Sequence, residues 1–488
     1  MGQLFLICLL DRGPASREYR PQWTHFGWRQ MLRRVWAVLD LRVIGLAGLM
    51  FAFVVAVSTI LFILTPRFNL DQAIPFLEMQ GAAKSGFTEE VRLGAVTSIS
   101  NDNSVALRID VPSLESVAST PYWRMLVLDG YNGGNFRMSE ALRTREYRSY
   151  RKERAFDGWG VPPRERAGAL WTFFMEGETS RYLPLPGAFT RLRFQSLTDV
   201  FVFEALHLVG LDSVRQNLFS YQVEDLRFNA RFPASPVAIE AFAAEPAPVR
   251  GSAAAYPMTL LQLDIAAGDL AFLKALIRDI FGPEGPPASV EAFSRAIVGY
   301  LQREHPYSRS PAANGTQRDA IVAWLEAGGG GHCEYFAGAF TLLARAAGYP
   351  ARVAVGFKGG SWNPVEAFYV VRNRDAHAWV ELYDREQEVW LRVDPTPGAG
   401  SGVEAAEATG AVSFETGWEA WTDSLRMQWY RRIVNFEQSD QIAMASGLKG
   451  AWESFKEGVF KRMEGLRKRV EAVLTEPLQG TNPLWLGL

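Results

Sequence analysis

Several distinct hydrophobic rhythms divide this chain. Val43–Leu64 (VIGLAGLMFAFVVAVSTILFIL) is apolar on every side and uncharged, and about 22 such residues suffice to cross a hydrocarbon core as a helix. From residue 67 the rhythm changes to strands. Val105, Leu107, Ile109 and Val111 alternate with other positions, Trp123–Leu128 and Phe201–Phe203 are further strand candidates, and Asp129-Gly130 and Tyr131-Asn-Gly-Gly134 are turn signals. These patterns predict a β-rich, sandwich-like domain over 67–232. A Pro- and Ala-rich stretch, 233–258, reads as a linker. Helical periodicity then takes over in Leu270–Phe281, Val290–Arg303 and Asp319–Leu325. It continues in Glu334–Ala347, where Phe336, Phe340, Leu343 and Ala347 recur at helical spacing and Gly348 marks the end.

A hairpin follows. Ala376–Tyr383 and Val389–Asp394 flank the polar turn Asp384–Glu388. Pairing residues whose numbers sum to 771 sets Ala378, Val380 and Leu382 against Val393, Leu391 and Val389, an all-apolar face, and a one-residue slip would mix the faces. That register places His377 opposite Asp394, with Cβ atoms roughly 4.5–5.5 Å apart. Asp375, two residues along the same strand, is the rival acid and the poorer one. Cys333 ends a run of four glycines and His332 and begins a helix. There the glycines promise a flexible approach, and free N–H groups and the helix dipole favour a thiolate. Cys333 as nucleophile, His377 as base and Asp394 as the group orienting it fit acyl-transfer chemistry. A buried structural cysteine and a packed strand histidine are the plainer readings, and spacing alone does not bring Cys333 to His377. The Cys333 N–H is one candidate oxyanion donor, with a ring donor from Tyr307 or Trp324 as another. His332 reads as a rim residue and His207 as structural.

Composition narrows the function. A formal net charge of −2 and the lack of a basic stripe in the middle of the chain argue against nucleic-acid binding. With only Cys8 and Cys333, no disulfide framework is available. His332, Cys333, His377 and Asp394 lack zinc-ligand spacing, so neither a metal nor any other cofactor is expected. Arg29, Arg33, Arg34 and Arg42 precede the apolar run against a single Asp40, whereas Arg67, Asp71 and Glu78 follow it. The positive-inside rule then puts everything after Pro66 outside the cytoplasm. Gly2–Leu10 is too short to span and lacks the basic start of a signal peptide. Beyond Pro397, Gly398–Gly410 reads as flexible, Phe414–Phe436 as an aromatic-rich helix and Trp452–Leu474 as a basic amphipathic one.

Four blocks carry a resemblance. Gly331-His-Cys-Glu-Tyr-Phe-Ala337, Ala347-Gly-Tyr-Pro-Ala-Arg-Val353, Asp375-Ala-His-Ala-Trp-Val-Glu381 and Val393-Asp-Pro-Thr396 resemble the successive blocks of the transglutaminase-like core. Ser85-Gly-Phe, Pro121-Tyr-Trp-Arg124 with Asp129-Gly130, and the helix around Trp429–Gln438 are similar to bacterial membrane-anchored TgpA-type proteins. The resemblance implies a catalytic triad of Cys333, His377 and Asp394. It also implies an α+β, papain-like fold over 259–400, with a Cys-bearing helix packed on an antiparallel sheet, behind a transmembrane segment (1–66) and the β-rich domain. A helical tail, 401–488, follows. Because that family is generally richer in N-terminal membrane helices, Met1 reads as a late start. The expected protein is a thiol acyltransferase on the outer face of the inner membrane. It moves a glutamine or peptide acyl group to an amine, with protein or peptide substrates in the cell envelope and the lipid bilayer as partners. A cysteine peptidase or amidase using water, and a non-catalytic envelope scaffold, are the alternatives.

Overall fold

The computed structural model describes residues 41–64, most of 87–240, 258–308, 318–398 and 413–431, and a few positions beyond 460. The run Gly2–Leu10, most of the linker (241–257), the stretch 399–412 and nearly all of Trp452–Leu474 lie outside the described residues. The chain divides into two units, Glu78–Glu437 and a second made of Met1–Leu77 with Gln438–Leu488.

In the second unit a 24-residue helix, Leu41–Leu64, begins two residues before the apolar run. Its side chains are described from Gly45 to Val55 and at Val57 and Ser58, and all are exposed. Among the described residues no helix is long and apolar enough to cross a membrane.

The unit Glu78–Glu437 mixes helices with two large sheets. A five-stranded sheet runs in the order Arg231–Pro233, Val389–Val393, Ala376–Asp384, Ala351–Lys358, Tyr122–Leu128. Its two edge strands come from the half of the chain that reads as a separate β-rich domain. The exchange also runs the other way. In the nine-stranded sheet, Ser361–Asn363 and Phe368–Arg372 continue a set that includes Val105–Asp110, Leu170–Met175, Arg191–Phe203 and Phe219–Glu224. The β-rich expectation for the N-terminal half holds, but its strands are interleaved with those of the C-terminal half. This explains why Tyr122–Leu128 is buried at all seven positions, as a strand covered on both faces must be.

Four helices pack beside the five-stranded sheet close to their expected places: Ala267–Phe281, Val290–Glu304, Ala320–Ala327 and Cys333–Ala346. Asp319 caps the third, its carboxylate accepting from the Ile321 and Val322 N–H groups. The aromatic-rich helix is Gly417–Trp429. It docks on the nine-stranded sheet through Asp423, which accepts from Arg108 at 2.7 Å and Arg372 at 3.2 Å. Its other face leaves Trp418, Trp421, Leu425 and Trp429 in solvent.

The hairpin register differs from the expected one by two residues. Val380 faces Val393 and Leu382 faces Leu391, so paired numbers sum to 773. Asp384 is a strand residue rather than part of the turn. Its carboxylate accepts from the Glu386 and Gln387 N–H groups, and Glu388 closes a four-residue loop with φ +55°. A shift of two leaves every side chain on its own face, so hydrophobic alternation does not distinguish 771 from 773; the turn decides.

Candidate active site

The glycine run is pinned, not flexible. Gly331 accepts from the Ser308 N–H and donates to Pro306 O, the Trp324 indole donates to Gly330 O at 3.2 Å, and His305 Nδ1 lies 3.2 Å from Gly329 O. A Cβ on Gly331 would meet the Trp324 ring at 2.9 Å, and one on Gly330 would meet Ser308 Cβ at 2.8 Å. Side chains are excluded there by close approach. Of the two suggested ring donors, Trp324 is thus already committed to Gly330, and its ring stacks on His305 at 4.0 Å. Tyr307 is half-exposed and pairs with Gly331 through its backbone.

This loop delivers Cys333 to the first turn of its helix, which lies against the strand Ala376–Asp384. The sulfur is buried, beside the Ala378 N–H, the amide immediately after His377. Burial pushes the thiol pKa up, the neighbouring Glu334 carboxylate pushes it further, and the Ala378 N–H only partly opposes them. Burial thus works against the expected stabilised thiolate in this resting state. Desolvation outweighs the helix dipole, whose effect is modest. Glu334 itself accepts from the Gly94 N–H at 2.6 Å and from the Val96 N–H, capping a short helix of the N-terminal half. Burial raises its pKa to about 7 against those two hydrogen bonds. His332, expected at the rim, is buried, and burial lowers its pKa to about 4.

His377 and Asp394 meet although the predicted register does not hold. In the observed register Asp394 lies past the last ladder pair, diagonal to His377, and His377 Nε2 reaches Asp394 Oδ2 at 2.8 Å. Asp375 turns away, accepting from the Arg372 N–H within a short 3₁₀ turn. Opposite His377 on its other side is Gly356, where a Cβ would collide with Trp123 O at 2.0 Å. Burial would raise the Asp394 pKa, but the charges and hydrogen bonds of His377 and Lys358 hold it well below the usual carboxylate range. Burial lowers the His377 pKa, with Asp394 opposing it and Lys358 adding to it. With Nε2 committed to a carboxylate, Nε2–H is the donor tautomer and Nδ1 is the nitrogen left to accept a proton.

Two groups at Asp394 have no role in the sequence reading. Tyr122 O–H and Lys358 Nζ each donate to Oδ2 at 2.7 Å. Tyr122 opens an apolar strand, where a tyrosine looks like core. The carboxylate of Glu381 is also unforeseen. It is fully buried between Arg124 and Arg352, with Arg352 Nε donating at 2.8 Å. His207, expected to be structural, is half-buried; its carbonyl accepts from Arg124, and burial with the nearby Arg124 and Arg352 lowers its pKa to about 3.

The profile of the transglutaminase-like superfamily matches residues 274–395, and that of the TgpA N-terminal domain matches residues 4–224. The core belongs to the transglutaminase-like superfamily. A curated relative from Pseudomonas aeruginosa, named protein-glutamine gamma-glutamyltransferase, is 25% identical over 356 residues, covering 72% of this chain and 46% of its own length. The chain thus spans about half of that relative. An uncharacterized Bacillus subtilis protein, YebA, is 40% identical over 72 residues, 14% of this chain and 10% of its own. The crystal structure of the periplasmic domain of TgpA from P. aeruginosa aligns with a TM-score of 0.45 at 20% identity, over 66% of this chain and 98% of that one.

Proposed function

We propose that this transglutaminase-like protein is a thiol acyltransferase acting on glutamine carboxamides, with Cys333 as nucleophile, His377 as base and Asp394 holding the imidazole. The observation that carries this reading is the His377 Nε2–Asp394 contact at 2.8 Å on the strand against which the Cys333 helix packs. His377 Nδ1 takes the thiol proton as Sγ attacks the carboxamide carbon, and the Cys333 N–H at the helix start donates to the developing oxyanion. The imidazolium returns the proton to the leaving nitrogen, so ammonia departs and a thioester remains. An amine, deprotonated by the same Nδ1, then attacks the thioester and Cys333 is released. A thiol with a raised pKa suits a mechanism in which the base removes the proton during attack rather than a standing ion pair. The buried sulfur also favours transfer over hydrolysis by keeping bulk water from the thioester.

The body is proposed to lie outside the cytoplasm, with the apolar run Val43–Leu64 as its anchor in the inner membrane. The sequence of the whole run supports the anchor, since the part of this helix with described side chains is by itself too short to span. A 24-residue helix is about 36 Å long, its described side chains face solvent, and arginines cluster on its N-terminal side.

The test is mass spectrometry of a glutamine peptide incubated with the full chain, with and without a primary amine. Acyl transfer predicts a conjugate with the amine, one ammonia lighter than the sum of its parts, and none with Cys333→Ala. Only deamidated or cleaved peptide would favour the hydrolase, and no product under any condition would favour the scaffold.

A further inference from the structure

Asp394 does not serve His377 alone. Its Oδ2 accepts from His377 Nε2 at 2.8 Å, Tyr122 O–H at 2.7 Å and Lys358 Nζ at 2.7 Å, while Oδ1 takes the Thr396 N–H at 3.1 Å. A carboxylate oxygen has two lone-pair sites, so three donors divide one acceptor. The two additional donors arrive on neighbouring strands: Tyr122 starts the edge strand from the N-terminal half, Lys358 ends the next one, and the two residues are register partners. The pair is held in place. Gly359 N–H donates to Pro121 O at 2.8 Å, Tyr122 packs edge-on against Trp379 at 5.2 Å, and the Arg392 guanidinium covers the Tyr122 ring at 4.1 Å.

We propose that Tyr122 and Lys358 are positioning residues of the active site, fixing the Asp394 carboxylate while limiting how strongly it can hold a protonated His377. A carboxylate bound only to the imidazole would stabilise the imidazolium and leave the ring protonated at neutral pH. Here part of its acceptor strength goes to a phenol and an ammonium, and the ammonium also repels a charged ring. Other charged groups near His377 are Asp375 two residues before it, tied to the Arg372 N–H, Arg392 above Tyr122, Glu334 beside Cys333, and Glu381 within reach of Arg392. Burial keeps the Tyr122 phenol protonated, so it remains a donor. The result is a neutral imidazole with Nδ1 open, the form a buried thiol requires. The catalytic consequence rests on the acyl-transfer reading; the effect on His377 does not.

The experiment follows the ring carbons of the five histidines by NMR in the full chain, ¹³C-histidine-labelled in detergent, with His377→Gln assigning the resonance. Tyr122→Phe and Lys358→Met should both move the His377 midpoint to higher pH, and Lys358→Arg should leave it in place. If the enzyme turns over a glutamine peptide, kcat/KM should fall on the order of tenfold at pH 6 and recover to within about twofold at pH 8 in the two shifting variants. A purely structural role would lower kcat/KM equally at all pH values. Unmoved or lowered midpoints in both variants, or an equal shift in Lys358→Arg, would overturn the proposal. A shifted midpoint in a protein without transferase activity would uphold the positioning and reject the acyl-transfer reading instead. If Tyr122→Phe fails to fold, Lys358→Met decides, since that side chain is 19% exposed.

Discussion

At the scale of single residues, His377 has two carboxylates close by in the hairpin, and only one is free to serve it. Asp375 is tied to the Arg372 amide, so Asp375→Asn should cost less than about tenfold in turnover. Asp394→Asn should cost about 10³- to 10⁴-fold with the fold retained, because an amide no longer fixes the Nε2–H tautomer. Steady-state kinetics beside a thermal melt checks both, and equal losses would remove Asp394 from the mechanism. Cys333, His377 and Asp394 stand out as candidates in the sequence because each sits in a local pattern: a helix start, a hairpin strand, a strand end. Tyr122 and Lys358 do not. Their role depends on a strand pairing between distant parts of the chain, and although Tyr122 lies in the quoted block Pro121–Arg124, nothing local points either residue at Asp394.

The elements show the same division between local and distant information. Helices and strands stand near where periodicity puts them, while the hairpin register, expected at 771, is 773 because Asp384 organises the turn. The Cys333 helix is tied at both ends to the N-terminal half, Glu334 capping Gly94 and Val96, and Arg345 donating to Asp129 O at 2.6 Å. The strand carrying His377 is tied by Glu381 to Arg124 of the N-terminal edge strand and to Arg352. Removing that one negative charge leaves two buried cations, so Glu381→Gln should destabilise the body by about 3–5 kcal/mol in a urea melt. Burial alone would raise the Glu381 pKa, but the two arginines hold it down to about 2. A depressed carboxyl pKa contributes stability that is present above the ordinary value of 4.5 and lost as pH falls through about 2. Wild-type protein should lose urea resistance across that window, and Glu381→Gln should lose less of it. A variant as stable as wild type at pH 7 would contradict the account.

For the whole molecule, the interleaved sheets decide what can be cut away. A fragment covering 259–400 lacks both edge strands of the five-stranded sheet, Tyr122–Leu128 and Arg231–Pro233, and lacks the ties just described. It should fail to give a cooperative thermal transition, whereas 78–437 should give one; a well-folded 259–400 would show the N-terminal strands to be dispensable. The proposed topology has its own check: a reporter fused after Pro397 should be active only if it functions outside the cytoplasm. Sequence patterns marked the β-rich half and the core but not their interleaving, since no periodicity records which distant strand completes a sheet. The interleaving also bears on biogenesis. Tyr122–Leu128, buried at every position once folded, leaves the ribosome some 230 residues before its partner Ala351–Lys358 is complete. At about 5–20 residues per second, that bare apolar strand waits on the order of 10–50 s for a neighbour. During that wait its unpaired backbone and apolar side chains are a template for aggregation, an exposure that ends only when the second half of the chain arrives.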